Sequence, residues 1–249
     1  MEELICFNKV IKKYRQILAL NDMSFSIRRG ESVALIGNNG CGKTTTINVL
    51  CNLILYDKGE VIVYNKKVSP RYVSYKNKFG ILLSPPIFVN EFTPQQYLKF
   101  ICRFQKVDPQ EISPRIDDTI NSFKISFSNS KKISDFSAGD KMKIALAASI
   151  IHNPEVLVYD EPFIHLDIQT IDFLLDLINS IKINKTLFIT SHNLDLITSV
   201  CSRFLLMEKG KIIDDFIPEA EVSIDKIKRQ IKERIIIQKI DNTKLSWLK

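Results

Sequence analysis

Short apolar runs separated by polar turns fill the first third of the chain. ELICF, MSFSI, SVALI and GEVIVYN are each continuous or alternating in apolar character, the pattern of strands. SVALIG is followed by a glycine-rich loop, and GKTTTINVLCNLI then repeats its apolar residues at helical spacing. From about Pro85 to His152 the period becomes that of helices. TPQQYLKFICRFQK has Thr93 as a cap and Pro94 in the first position. DPQEISPRIDDTINSFKI reads as a second helix, interrupted or begun near Pro114, and AGDKMKIALAASIIHNP as a third that ends before Pro154.

Strands and helices then alternate. EVLVYDEP, KTLFITSH and RFLLMEKGKII are apolar runs closed by polar residues, as expected of buried parallel strands, with IQTIDFLLDLINSIK and NLDLITSVC as helices between them. The pattern predicts an α/β fold with a mainly parallel sheet, an N-terminal β part and an inserted helical segment. Ligands in such sheets gather at the carboxyl ends of strands. GNNGCGKT, DEP and TSH all follow strands directly, so three polar motifs should meet at one edge. Beyond Pro218, Ile224, Ile227, Ile231 and Ile235 recur at helical spacing among five basic residues between Lys226 and Arg234. This predicts an amphipathic helix that either packs its isoleucines on the rest of the chain or touches lipid headgroups or a partner; for RIIIQKI a strand is the alternative.

Composition narrows the class. The 249 residues suffice for one large domain or two small ones. A formal charge of +7 permits contact with nucleic acid or anionic lipid, although a solvated surface explains it equally. Five cysteines (Cys6, Cys41, Cys51, Cys102, Cys201) are scattered without a CxxC pair, which argues against a zinc site or disulfide framework and fits a reducing compartment. No apolar run approaches the roughly 18–20 residues needed to cross a bilayer, and MEELICFNKVIKKYRQ lacks a secretory core, so a cytosolic location is expected.

The loop Gly37, Asn38, Asn39, Gly40, Cys41, Gly42, Lys43, Thr44 fits G-x-x-x-x-G-K-[ST] between a strand and a helix. Glycines allow successive backbone N–H groups to turn inward as an anion nest at the helix N-terminus. Lys43 can reach the β and γ phosphates of a nucleotide, and the Thr44 hydroxyl can bind Mg²⁺. Cys41 serves as a small spacer. VLVYDEP ends in two carboxylates: Asp160 is placed to hold Mg²⁺ through water and Glu161 to polarise an attacking water as general base. His192 ends the run TLFIT and could contact the γ-phosphate and that water; a structural role is the alternative. His152 and His165 read as structural. In DFSAGDK, Ser137 and Gly139 could form a second small nest, or Ser137 could simply cap the helix.

GNNGCGKTT, FSAGDK, LVYDEP, HLD and TSH, in that order and over roughly residues 3–215, resemble the ATP-binding cassette (ABC) family. The resemblance implies a P-loop NTPase core with an antiparallel N-terminal β part and a helical subdomain at about 85–152. It implies a cassette over residues 1–217, with 218–249 as a basic amphipathic extension. It further implies an ATPase that uses ATP and Mg²⁺ and dimerises head to tail, as homodimer or heterodimer. Its partner would be a separately encoded integral membrane subunit on whose cytoplasmic face it sits. By the same resemblance Tyr14 stacks on adenine, while Gly37, Gly40, Gly42, Lys43, Thr44 and Thr45 take the phosphates. Ser137 and Gly139 close on the nucleotide of the partner cassette, Asp167 links the two sites, and His192 is the switch histidine.

Two positions depart from the family pattern. Ser84 stands at the end of FGILL where Gln is usual, and needs a bridging water to reach the metal. FSAGD replaces LSGGQ, which puts a Cβ at Ala138 and a negative charge at Asp140 beside a phosphate site. Hydrolysis is expected to persist but to be slow. Export is the expected direction. A soluble ABC ATPase acting on nucleic acid or ribosomes, and a catalytically weak regulatory cassette, are the alternative readings; nucleic acid is not the expected partner.

Overall fold

The computed structural model of the chain describes residues 3–125, 130–164, 166–219 and 223–234. Strands β1 (Glu3–Tyr14), β2 (Ile17–Arg28), β4 (Lys58–Val63) and β5 (Lys66–Lys67) form an antiparallel sheet of order β2-β1-β4-β5. β1 and β2 extend well beyond ELICF and MSFSI because register shifts along the pair, beginning between Glu3 and Ile5, let the ladder follow its own twist.

β3 (Ser32–Ile36), β6 (Phe79–Leu82), β7 (Val156–Asp160), β8 (Thr186–Ser191) and β9 (Arg203–Glu208) are parallel, and β10 (Lys211–Phe216) adds an antiparallel edge. The order is β10-β9-β3-β8-β7-β6. RFLLMEKGKII is therefore a hairpin and not one strand. Lys209 and Gly210 take φ of 46° and 81°, the left-handed pair of a two-residue turn that matches strand twist.

Alternate residues of the central strands serve two cores. Val33, Leu35, Val156, Val158 and Phe188 pack with the antiparallel sheet and with Ile47 and Leu50 of α1 (Lys43–Leu50). Ala34, Ile36, Leu157, Tyr159 and Ile189 pack on the opposite face, with α2 (Pro94–Phe104), α3 (Pro109–Ser122), α4 (Ala138–Ile150) and α5 (Ile168–Ile181). α2 starts as its sequence dictates: Thr93 Oγ1 accepts from Gln96 N at 3.3 Å while the Gln96 side chain accepts from Thr93 N at 2.9 Å.

α3 is neither interrupted nor begun at Pro114. It begins at Pro109, where Asp108 Oδ1 accepts from Gln110 N at 2.9 Å, and runs through Pro114. The proline forfeits one backbone hydrogen bond, but burial of Ile112, Ile116 and Ile120 at fourfold spacing outweighs it. The short α6 (Leu194–Ile197) and α7 (Ile224–Arg234) complete the helices named here.

α7 packs its isoleucines inward: Ile231 is fully buried and Ile227 partly so, while Ile224 stays exposed. Lys228 Nζ lies 2.6 Å from Asp195 Oδ1, and the Arg234 guanidinium sits 4.4 Å over the Phe216 ring. His165, Ile235 and the stretch after Arg234 in RIIIQKI lie outside the described residues. Among the described residues, no helix is long and apolar enough to cross a membrane.

Candidate functional site

β3 delivers the chain into the phosphate-type loop, and the loop is packed from beneath. A Cβ on Gly37 would lie 2.3 Å from the Met207 carbonyl oxygen and 2.6 Å from Cys41 Sγ. Only glycine fits there. Gly42, at φ 116°, turns the backbone into α1, and Gly210 N donates to Cys41 O at 2.9 Å, so the β9–β10 turn buttresses the loop. Cys41 is buried with its thiol in the core, where burial raises its pKa despite the nearby Lys43. Lys43 is only 6% exposed and curls back to donate to Gly37 O at 2.8 Å.

Asp160 and Glu161 leave β7 in opposite senses. Asp160 is 1% exposed; its Oδ1 accepts from Thr190 Oγ1 at 2.6 Å, and its Oδ2 is buried without a hydrogen-bond partner. Burial raises the Asp160 pKa, opposed by hydrogen bonds from Thr190 and Thr44. Glu161 has φ +44°, a left-handed conformation that non-glycine residues hold only when the surroundings impose it. Thr190 imposes it: Glu161 N donates to Thr190 O at 3.2 Å and to Thr190 Oγ1 at 3.0 Å. The turn aims the Glu161 carboxylate at the loop, where Oε1 lies 3.2 Å from Lys43 Nζ. Oε2 lies 2.9 Å from His192 Nδ1 and accepts from His192 N at 3.3 Å.

A cavity of about 430 Å³ opens above this cluster. Asn39, Gly40, Gly42, Lys43, Thr44 and Thr45 form its floor, Tyr14 and Ile17 one wall, and Ser84 and Glu161 the other. Its size is that of small-molecule pockets. Sequence reasoning did not single out Thr190, which holds both acidic residues; a threonine inside the apolar run TLFITS was its only signal.

Ser137, Gly139 and Asp167 gather elsewhere, where α4 meets α5. Ser137 caps α4, accepting from Asp140 N at 3.1 Å and donating to Asp140 Oδ2 at 2.8 Å. Asp167 caps α5 through Thr170 N and Thr170 Oγ1, each at 2.9 Å, and hydrogen bonds from Thr170 lower its pKa. A Cβ on Gly139 would come within 3.1 Å of Thr170 Oγ1, so the two helix starts touch. His152 lies apart from the cavity, its Nε2 3.1 Å from Phe79 O and its pKa lowered by burial.

The family model described as ABC transporter matches residues 20–164, more than half of the chain. An uncharacterized ABC transporter ATP-binding protein of Methanocaldococcus jannaschii is 30% identical over 98% of this chain and 86% of its own length. The chain belongs to the ABC transporter family. A second relative, the Nod factor export ATP-binding protein I of Burkholderia orbicola, is 30% identical over 90% of the chain and 75% of its own length. Among solved structures, a dimeric ATP-binding cassette in a post-hydrolysis state with ADP and Pi shares the fold. Its TM-score is 0.79 at 20% identity, covering 87% of this chain and all of that one.

As an ABC ATPase the chain binds and hydrolyses ATP, and ATP-binding subunits of this family work with membrane-spanning subunits. In this ABC chain Asn39, Gly40, Gly42, Lys43, Thr44 and Thr45 of the loop line one cavity with Glu161, Tyr14 and Ser84; His192 adjoins it through Glu161, and Asp160 is buried without lining it. Ser137, Gly139 and Asp167 do not line that cavity; they lie at the starts of α4 and α5.

Proposed function

We propose that this chain powers a separately encoded membrane-spanning subunit, in the export direction, through ATP-driven head-to-tail closure of two cassettes. The observation that carries the proposal is the Lys43–Glu161–His192 cluster, of which Lys43 and Glu161 line the loop cavity. Phosphates entering the nest made by Gly37, Asn38, Asn39, Gly40, Cys41 and Gly42 draw Lys43 away from Glu161. Thr44 and Thr45 add hydroxyl and backbone donors, and Tyr14 offers its ring to the base. The freed Glu161 carboxylate takes a proton from the attacking water, and His192 holds that carboxylate in place and meets the γ-phosphate. Ser137 and Gly139 of one cassette cap the nucleotide held by the other, and Asp167, bound to Thr170 beside Gly139, connects the two sites.

Mg²⁺ fits the residues present. Asp160 Oδ2 is a buried oxygen without a partner, and Thr44 lies near enough to oppose the rise in the Asp160 pKa; hard oxygen donors of this kind would suit Mg²⁺. When bound, the ion neutralises charge on the phosphates; Ser84 would approach it through water.

The cassette spans residues 1–217, with its helical subdomain at about 85–152 and an extension at 218–249. A cleft between β6, α2 and α4, with Ile87 and Phe104 exposed at its mouth, supports a groove for the membrane subunit. The Burkholderia relative is a Nod factor export ATP-binding protein, and this similarity supports export. The chain then sits at the cytoplasmic face of the membrane through that subunit. The test is copurification in mild detergent, followed by transport assays in lipid. A membrane protein should accompany the chain, and ATP-dependent transport should vanish in Glu161→Gln. Turnover indifferent to Glu161, or no membrane partner, overturns the proposal.

A further inference from the structure

At the start of α4 the chain carries its own anion. Asp140 is the third residue of the helix, and its carboxylate lies in the first turn, where unpaired backbone N–H groups favour negative charge. It also holds the hydroxyl proton of the cap: Ser137 Oγ donates to Asp140 Oδ2 at 2.8 Å while accepting from Asp140 N at 3.1 Å. The pair is closed on itself. The adjacent Lys141 Nζ is directed to Ser134 O at 2.8 Å and not to Asp140. Lys141 therefore does not draw the carboxylate away from Ser137.

This bears on the closure of two cassettes, and rests on that reading. A terminal phosphate presented by the facing cassette would need the Ser137 hydroxyl as a donor. That donor is already given to a carboxylate, an acceptor of the same charge sign and strength class as a phosphate oxygen. We infer that Asp140 is a positioning residue acting through Ser137: its carboxylate is a built-in competitor that the phosphate must displace before the Ser137 loop can close. The consequence is a raised ATP threshold for closure at each site this loop completes. In a homodimer both sites carry it; in a heterodimer only the one capped by this chain does.

Two effects of Asp140 are separable. Through-space repulsion of phosphate would act whether or not Ser137 has a hydroxyl, and salt would screen it. Competition for the hydroxyl disappears when the hydroxyl is removed. A purely structural role is distinguishable by sign, because loss of an acidic residue from the first turn weakens the helix start and lowers the melting temperature.

The experiment uses the full chain carrying Glu161→Gln, together with any cassette and membrane subunit that copurify with it. ATP is titrated while cassette association is followed by analytical ultracentrifugation or interface crosslinking. Asp140→Ala should lower the half-saturating ATP concentration about three- to tenfold, the range expected for release of one hydrogen bond, while the melting temperature stays level or falls. Asp140→Asn, which keeps a neutral acceptor, should lie between Ala and the parent. In a Ser137→Ala background the Asp140→Ala gain should disappear. An unchanged ATP threshold in Asp140→Ala, or an equal gain with and without the Ser137 hydroxyl, overturns the inference while leaving closure intact. If ATP drives no association in the parent under any of these compositions, the closure reading itself fails and the inference falls with it.

Discussion

Glu161 is shared between two partners, with Oε1 3.2 Å from Lys43 Nζ and Oε2 2.9 Å from His192 Nδ1. The Glu161 and Lys43 side chains are 10% and 6% exposed, so their attraction is poorly screened. An ATP phosphate and this carboxylate cannot both have the lysine on equal terms. In the proposed function, nucleotide entry loosens this ion pair and so frees Glu161 to accept a proton.

Neutralising the carboxylate should therefore separate binding from chemistry. Glu161→Gln is expected to bind ATP more tightly, by about 1 kcal/mol or roughly fivefold, because Lys43 is no longer held by a charge. Turnover should fall by roughly 10²–10⁴-fold with loss of the base. Calorimetric titration and a steady-state phosphate-release assay check the two halves. Weaker binding in this variant would show that the pair does not compete with phosphate.

His192 touches the same carboxylate through its ring and its backbone N–H, and only the ring contact can be removed by substitution. His192→Ala should lower kcat about 10–100-fold, in the lower part of the range for a mispositioned base, with KM for ATP moving little. A KM rise without a kcat loss would assign His192 to nucleotide binding instead.

Asp160 yields a pH-dependent expectation. Its pKa is raised by burial from the ordinary value of 3.8, so the folded chain binds that proton more tightly than the unfolded chain does. This group thus favours folding below its unfolded pKa, and the contribution is lost as pH rises through the folded pKa. Asp160→Asn removes the buried charge. At neutral pH, without nucleotide or metal, it should raise the melting temperature. The difference in melting temperature should shrink as pH falls through the raised pKa toward 3.8 and be absent below it. A difference independent of pH would mean that burial of the charge is not its cause.

What sequence alone could supply follows the range of the interactions involved. The loop from Gly37 to Thr44 was legible as the link from strand to helix because its glycines are close in sequence, and Thr93 with Pro94 as the start of α2 because a cap acts within one turn, although the reciprocal bond from Gln96 was not anticipated. Thr190 was not, since it reaches the acidic pair across the β7–β8 ladder, where it lies opposite Asp160. The need for glycine at Gly37 likewise comes from Met207, distant in sequence. Pro114 misled because a local rule was overridden by three buried isoleucines, and the β9–β10 hairpin was hidden in an apolar run whose Lys209–Gly210 turn reads at first as polar residue ends. Ser137, Gly139 and Asp167 were named by motif order, yet the approach of Gly139 to Asp167 and Thr170 depends on how α4 meets α5.

The isoleucines of α7 provide the last test, because packing and lipid contact demand opposite things of them. Ile231 is fully buried among core residues, whereas Ile224 is 45% exposed on the same helix. If the helix is part of the folded core, Ile231→Ala should lower unfolding free energy by about 2–4 kcal/mol, the range for a large-to-small change in a core. Ile224→Ala should change it by less than about 0.5 kcal/mol, as surface substitutions do. Denaturant titration of the two variants measures both values. The flanking pairs, Lys228 with Asp195 and Arg234 over Phe216, are surface contacts that solvent screens, and they should contribute little beside Ile231. Equal and small effects at both isoleucines would mean that the helix is not docked in solution, and binding of the chain to anionic vesicles would then be the property to measure.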